Sequence, residues 1–511
     1  MQQNTPSPKK GFNPLILIPV VAGIMVATIF VCAATFVAYA LFFYEANPPE
    51  LTKTRPTMTV EIVQFSKGKD EPPTLAPPTN TPVKVEATAT VLTIAATVTP
   101  TVAVTATVPL TKTAPVTTTA PTTKSDTITT TAVATKPTVA PTKAPSYPVP
   151  TINTAPVTMS SPDYGMQVFL FWKEEIADRD LKLVQEADFR WVKQEFAWRE
   201  IEGASKGAFD WSRTDRIMNQ IDAHGLKVIV RLGVQPKWAA PSIFPEVGPP
   251  DNMQDFADFI TAVATRYKGR IDAYQIWNEP NLSREWGNRP TNAAEYTAML
   301  KVAYQAVKAV DPFPIVISAG MAPTTRNDDV ARPDTYYIQE MYKAGAKPYF
   351  DALGAHGPGF KAAPETDPAE IAKTPGLANP GDFEAKNNVP EELRRVYGFR
   401  HVEDVRKIMV DNGDAGKKVV LLEFGWTVDP RPNSPYKWHA VSQDEQAAYF
   451  GRAYQYAKAN WQPWIGIMSL IYVASPQWTR DDEQTYWCVI YPGYPELNVA
   501  PAYYKLKEMR K

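Results

Sequence analysis

Two glutamates in this chain stand at the ends of apolar runs, and two carboxylates facing each other can divide acid and base work if their surroundings differ. The first closes Ala273–Tyr274–Gln275–Ile276–Trp277–Asn278–Glu279, a partly apolar, alternating stretch that breaks at Pro280–Asn281. Alternation of this kind reads as a strand. Pro280 cannot extend a central strand, so Glu279 sits where the strand gives way to a loop. The second closes Val419–Val420–Leu421–Leu422–Glu423 and is followed by Phe424–Gly425–Trp426. Other reactive side chains are sparse. There are four histidines without zinc-type spacing and two cysteines. Cys32 lies in an apolar segment and Cys488 reads as a small buried residue, so no disulfide framework and no metal site is expected.

The two glutamates need elements to hold them. From about Pro162 the chain is rich in Trp, Tyr, Phe and charge, and apolar strands alternate with helical patterns. The expected strands are 166–171, 189–195, 227–232, 273–278, 315–319, 352–356, 419–423 and 466–473. Between them, Phe256, Ile260, Val263 and Tyr267 fall at helical spacing, as do Tyr296, Leu300, Ala303, Val307 and Val310. Ser442–Gln443–Asp444–Glu445 is a capping box, and Pro501 suits a first helical turn. His224–Gly225 and Asn412–Gly413 read as helix ends. Strands alternating with helices imply a parallel sheet. Eight of them over somewhat more than ~250 residues favour an α/β fold of the (β/α)8 TIM-barrel type over an open doubly wound sheet. No glycine-rich fingerprint follows the first strand, which weakens a nucleotide-binding reading. The stretch 357–400, between strand six and its helix, is too long for an ordinary connection, and on a barrel it lies over the active-site face.

The N-terminal part is of another kind. Residues 1–11 are polar and end in Lys9–Lys10 ahead of 12–44, a run without a charged residue. That run exceeds the roughly 20 residues that cross a bilayer and is too long for a signal-peptide core. It reads as a transmembrane signal anchor with the lysines in the cytoplasm, so that the C-terminal part is extracytoplasmic. Residues 45–69 form a juxtamembrane segment. From 70 to 158 the chain is a Thr/Pro/Val/Ala-rich linker, with no aromatic residue between Phe65 and Tyr147. It cannot bury enough surface to fold and reads as a disordered stalk, with or without sugars on its threonines. The folded domain is expected over 159–511. A formal net charge of −1 offers no basic excess for a nucleic-acid partner, and nothing points to an obligate protein partner.

On a barrel, Glu279 would end strand four and Glu423 strand seven, both at the C-terminal rim where barrel enzymes place their chemistry. Carboxylates about 5–5.5 Å apart there suit retaining hydrolysis of a glycoside, one protonating the leaving oxygen and the other attacking the anomeric carbon. The phrase Trp277–Asn278–Glu279–Pro280 on strand four, together with Glu423 on strand seven, resembles the clan A glycoside hydrolases. It looks closest to families 39 and 5 (β-xylosidase, iduronidase and cellulase-like barrels). Phe196–Ala197–Trp198–Arg199–Glu200–Ile201–Glu202, then Phe209–Asp210–Trp211 and Asp215, look like the segment after strand two. Leu226–Lys227–Val228–Ile229–Val230 leading to Pro236–Lys237–Trp238–Ala239 looks like strand three and its loop.

The resemblance implies Glu279 as acid/base, Glu423 as nucleophile and Asn278 as the partner of the sugar 2-hydroxyl. His356, ending strand six, fits a residue that touches nucleophile or substrate. Trp172, Trp198, Trp238, Trp426 and Trp478 are candidates to stack on sugar faces. No cofactor is needed, since two carboxylates suffice. Two departures stand out. Lys193 occupies the place of a family arginine that supports the nucleophile, with Arg231 as another source of a guanidinium. Strand eight ends near Tyr472 where the family has a tryptophan, so Tyr472 or Trp478 would substitute. The leading expectation is a membrane-anchored retaining β-glycosidase acting on oligo- or polysaccharide. The alternatives are a catalytically weak or inactive barrel serving as a stalked carbohydrate-binding surface protein, and a purely structural surface protein.

Overall fold

A computed structural model of the chain describes Pro150 and residues 152–511. The expected cytoplasmic tail, transmembrane anchor and juxtamembrane segment, and nearly all of the linker, lie outside the described residues. Among the described residues no helix is long and apolar enough to cross a membrane.

Eight parallel strands close into a barrel in chain order. They are β1 Asp163–Gln167, β2 Trp191–Ala197, β3 Lys227–Gly233, β4 Ala273–Ile276, β5 Ile315–Ile317, β6 Ala352–Pro358, β7 Lys418–Gly425 and β8 Ile465–Leu470. Each is followed by a main helix: α1 Glu174–Glu186, α2 Ser212–Ala223, α3 Met253–Arg266, α4 Ala293–Val310, α5 Asp334–Lys343, α6 Val402–Asp411, α7 Gln443–Asn460 and α8 Pro501–Glu508. The TIM-barrel expectation is met.

Nearly every strand residue is buried, because helices cover the outer face of the sheet and side chains fill its interior. Phe256, Ile260 and Val263 of α3 are all buried, as is Tyr267, which caps that helix. The capping box at Ser442 is formed in both directions, a contact that contributes on the order of 1 kcal/mol. His224 and Asn412 cap their helices, and Gly225 and Gly413 follow at φ 62° and 70°, a backbone that favours glycine. Inside the barrel, Trp191, Ile229, Ile317, Val420 and Ile467 form an apolar floor against which Val157 and Met159 pack. The last residues of the 70–158 stretch are therefore part of the fold: Asn153 donates its backbone N–H to Gly269, and its side chain bonds Asp272.

Several strand ends differ from expectation. β1 begins and ends earlier, β4 stops at Ile276, and β7 runs two residues past Glu423. Past β4 the chain bends sharply, with Trp277 at φ 69° and Glu279 at φ 39°. Left-handed non-glycine residues cost of order 1–3 kcal/mol and cluster at functional sites. Stretch 357–400 is not a bare loop. It carries the short helices Pro368–Lys373 and Glu391–Arg394 and its own small core of Phe360, Ile371, Val396 and Tyr397. That apolar set is what its proline-rich composition concealed.

Candidate active site

Strand alternation sets most of the site. On β2, Trp191 points into the barrel floor, so Lys193, two residues on, points inward one layer higher. On β7, Val420 and Leu422 both line the floor, and strict alternation would send Glu423 outward. A register shift prevents this. Ala355 pairs with Leu421, but His356 pairs with Glu423, so β7 carries an extra residue there. A bulge of this kind re-aims a side chain. It turns Glu423 into the barrel.

The result is a buried cluster of charge. Lys193 Nζ donates to Oε1 of Glu423 at 2.9 Å and to the carbonyl of Leu422 at 3.1 Å. His356 Nδ1 lies 3.0 Å from Oε1 of Glu279 and 3.9 Å from Oε2 of Glu423. A carboxylate only accepts, so Nδ1 carries the proton toward Glu279. The other oxygen of Glu279, Oε2, accepts from Nη2 of Arg284 at 3.0 Å. The imidazole fits because residue 320 is glycine: a Cβ there would approach within 2.2 Å of Cδ2 of His356. Both glutamates are almost fully buried.

Burial alone would raise both carboxyl groups. For Glu423 the Lys193 charge, then His356 and the Lys193 hydrogen bond, outweigh it and hold the carboxyl down at about 2. For Glu279 the hydrogen bond and charge of His356, with Arg284, outweigh burial and the repulsion of Glu423, and the carboxyl lies below its ordinary value. Burial in turn pulls Lys193 down to about 8, against the attraction of Glu423. Glu285, next to Arg284, is pushed up to about 7 by burial, with Arg284 opposing. Both glutamates are thus ionised at neutral pH, with a cation on each.

Glu279, Glu423, His356 and Lys193 are brought together in one cluster. Arg231 lies on β3 in an ion pair with Glu195, and its charge acts on both Lys193 and Glu423. Asn278 is half-buried beside Glu279, its Oδ1 3.3 Å from Nε2 of Gln275. Tyr472 is buried and feels the charges of both glutamates. It packs with Trp478 at 5.2 Å, and both contact Phe169, so the two strand-eight candidates form one aromatic group. Trp172 and Trp238 are half-buried in the loops after β1 and β3.

Two tryptophans are placed differently from expectation. Trp198 is fully buried, stacked on Phe259 at 5.2 Å with its indole N–H on Glu202. Trp426 is equally buried among Phe399, Tyr449 and Phe450, with its N–H on Ala362. Neither has a face open to a sugar; both fill the layer between strands and outer elements. Cys488 is buried, and burial raises its thiol, which fits an inert residue. Among the described residues no group of His, Cys, Asp and Glu is placed to hold a metal.

Arg284, Glu285 and Gly320 escaped the sequence reading. The first two follow Glu279 by five and six positions in the Ser283–Glu285 turn, and that proximity was the available signal. Asn281 is structural, its side chain bonding Ala322 and Arg332 to tie down the loop after β4.

Comparison with known proteins points the same way. The model of the Glyco_hydro_42 family, described as beta-galactosidase, matches residues 168–256, a span that reaches neither glutamate. A beta-xylosidase of Geobacillus stearothermophilus is 30% identical over 155 residues, covering 26% of this chain and 30% of the relative. A solved family 39 glycoside hydrolase from the gut symbiont Bacteroides cellulosilyticus WH2 superposes with a TM-score of 0.50 at 19% identity, over 68% of this chain and 63% of that one. That likeness is one of fold. The chain resembles the clan A glycoside hydrolases. It spans under a third of the length of the xylosidase and less than two thirds of the family 39 structure.

Proposed function

We propose that the barrel is a retaining β-glycoside hydrolase, with Glu423 as nucleophile and Glu279 as acid/base, held outside the cytoplasm by an anchor at 12–44 and a Thr/Pro-rich stalk. The observation that carries the reading is the position of His356. Its Nδ1 is within 3.0 Å of one glutamate and 3.9 Å of the other. Laid end to end, the two contacts keep those two carboxylate oxygens within about 7 Å of each other, which accommodates the ~5–5.5 Å separation of a retaining pair.

In the first step Glu423, kept ionised by Lys193, attacks the anomeric carbon, and Glu279 gives a proton to the departing glycosidic oxygen. In the second, Glu279 takes a proton from water as its oxygen displaces Glu423, which leaves the sugar with its original anomeric configuration. Asn278 stands beside Glu279 where a sugar 2-hydroxyl is expected. Tyr472 and Trp478 supply an aromatic wall, and Trp172 and Trp238 are further candidates at the rim. The alternative of an inactive binding barrel loses one of its motives, because Lys193 bonds Glu423 in the way a supporting arginine would.

The test is hydrolysis of a panel of aryl β-glycosides and plant or microbial polysaccharides by the full chain in detergent, beside Glu279→Gln and Glu423→Gln. Turnover by the parent that Glu423→Gln abolishes and Glu279→Gln lowers by at least ~100-fold, the ordinary weight of general acid catalysis, supports the reading. Sugar binding without turnover, surviving both substitutions, replaces it with the binding barrel.

A further inference from the structure

Both carboxylate oxygens of Glu279 are engaged, Oε1 by His356 and Oε2 by Arg284, each at 3.0 Å. A general acid must bring one of these oxygens within about 2.6–3.2 Å of the atom it protonates. A glycoside that enters must place its oxygen beside one of them, where it competes for space with the cation or imidazole already there. His356 is poorly placed to yield. Its side chain is 0% exposed, it sits within β6, and its ring is wedged against Gly320. Arg284 lies in the Ser283–Glu285 turn with its side chain 25% exposed, and its long stem lets the guanidinium swing away without moving the backbone.

We propose that Arg284 is a positioning residue that holds Oε2 of Glu279 in the free protein and is displaced from it by the glycosidic oxygen of the substrate. The inference rests on the reading of Glu279 as acid/base. The groups that face Glu279 are His356 from β6, Glu423 from β7 with Lys193 of β2 and Arg231 of β3 behind it, Tyr472 from beyond β8, and Arg284 and Glu285 from its own loop. Moving Arg284 away removes one of the two groups that oppose protonation of Glu279; His356 still opposes it, and burial with the charge of Glu423 now weighs more heavily for the protonated acid. Once the leaving group has gone with the proton, Oε2 faces the water that attacks in the second step, and the guanidinium returns to it when the product has left.

The test compares the pH dependence of kcat/KM, which reports the free enzyme, with that of kcat, which reports the complex. The full chain would be assayed on an aryl β-glycoside that it turns over. The basic limb marks loss of the Glu279 proton. In the parent it is expected about one pH unit higher in kcat than in kcat/KM, as befits the loss of a partly exposed ion pair. In Arg284→Met the kcat/KM limb should rise to meet the kcat limb and KM should fall. Arg284→Lys should restore part of the gap. Coincident limbs in the parent, or a gap that Arg284→Met leaves unchanged, would overturn the inference. Turnover lost in Glu279→Gln would keep the acid/base reading even then, whereas a parent that hydrolyses nothing removes both.

Discussion

Replacing Lys193 by methionine takes a full charge from a point 2.9 Å from Oε1 of Glu423 while keeping the length of the side chain. At that distance and an effective dielectric near 20, the attraction lost is about 6 kcal/mol. Arg231 and His356 remain to act on the carboxylate. If they leave only a third of the attraction uncompensated, the change is about 2 kcal/mol, which raises the Glu423 carboxyl by more than one pH unit from its value near 2. The sign is fixed: the nucleophile must be ionised, so the acid limb of kcat/KM moves to higher pH. Breaking a buried pair also destabilises by about 3–5 kcal/mol, so thermal unfolding should be followed in parallel. Lys193→Arg keeps the charge and should keep the acid limb near the parent position. A folded Lys193→Met variant with an unmoved acid limb would refute the claim that Lys193 keeps Glu423 ionised.

Two further outcomes follow from the geometry. Gly320→Ala places a methyl 2.2 Å from Cδ2 of His356 and must push the ring off Glu279. The loss of one charge-assisted hydrogen bond, about 1.5–3 kcal/mol, predicts a fall in kcat/KM of at least ~10-fold with the fold retained, and unchanged kinetics would contradict it. His401 donates from Nε2 to Asp334 at 2.8 Å and from Nδ1 to Asp404 at 3.1 Å. Burial disfavours its charge, but the two aspartates outweigh it and raise the imidazole to about 10. Because that value exceeds the unfolded one near 6.5, the stabilisation is full below pH 6.5 and is lost as pH rises through 10. The parent should therefore lose a few kcal/mol of stability across that window. Melting of His401→Gln should change less there, and parallel curves for the two proteins would contradict the assignment.

How far the site could be read from the chain depended on which residues alternation governs. Lys193 follows Trp191 by two positions and faces the same way, and the run to Glu279 announces its own end at Pro280. Eight apolar runs separated by helical spacing were enough for the barrel. Glu423 is different. Alternation from Val420 and Leu422 would have turned it outward, and a bulge against β6, invisible in a single sequence, turns it in. The inward aim of Glu279 depends on two left-handed residues that no propensity suggests, Trp277 and Glu279 itself. Trp198 and Trp426 show a limit of residue type: a tryptophan's bulk and amphipathic ring suit a sugar platform and a core equally, and here packing took both. Arg284 and Gly320 act through close approach in space, which spacing along the chain does not encode.

The central claim, a covalent intermediate on Glu423, is tested most directly by trapping it. A 2-deoxy-2-fluoro β-glycoside with an activated leaving group, built on the sugar that the parent hydrolyses best, slows both steps by destabilising the oxocarbenium-like transition state. The good leaving group lets the first step proceed and the intermediate accumulate. Mass spectrometry of the digested protein should then find the fluorosugar on the peptide that holds Glu423, with the adduct absent from Glu423→Gln. Turnover without any adduct and with inverted anomeric configuration, or an adduct on another residue, would contradict the account.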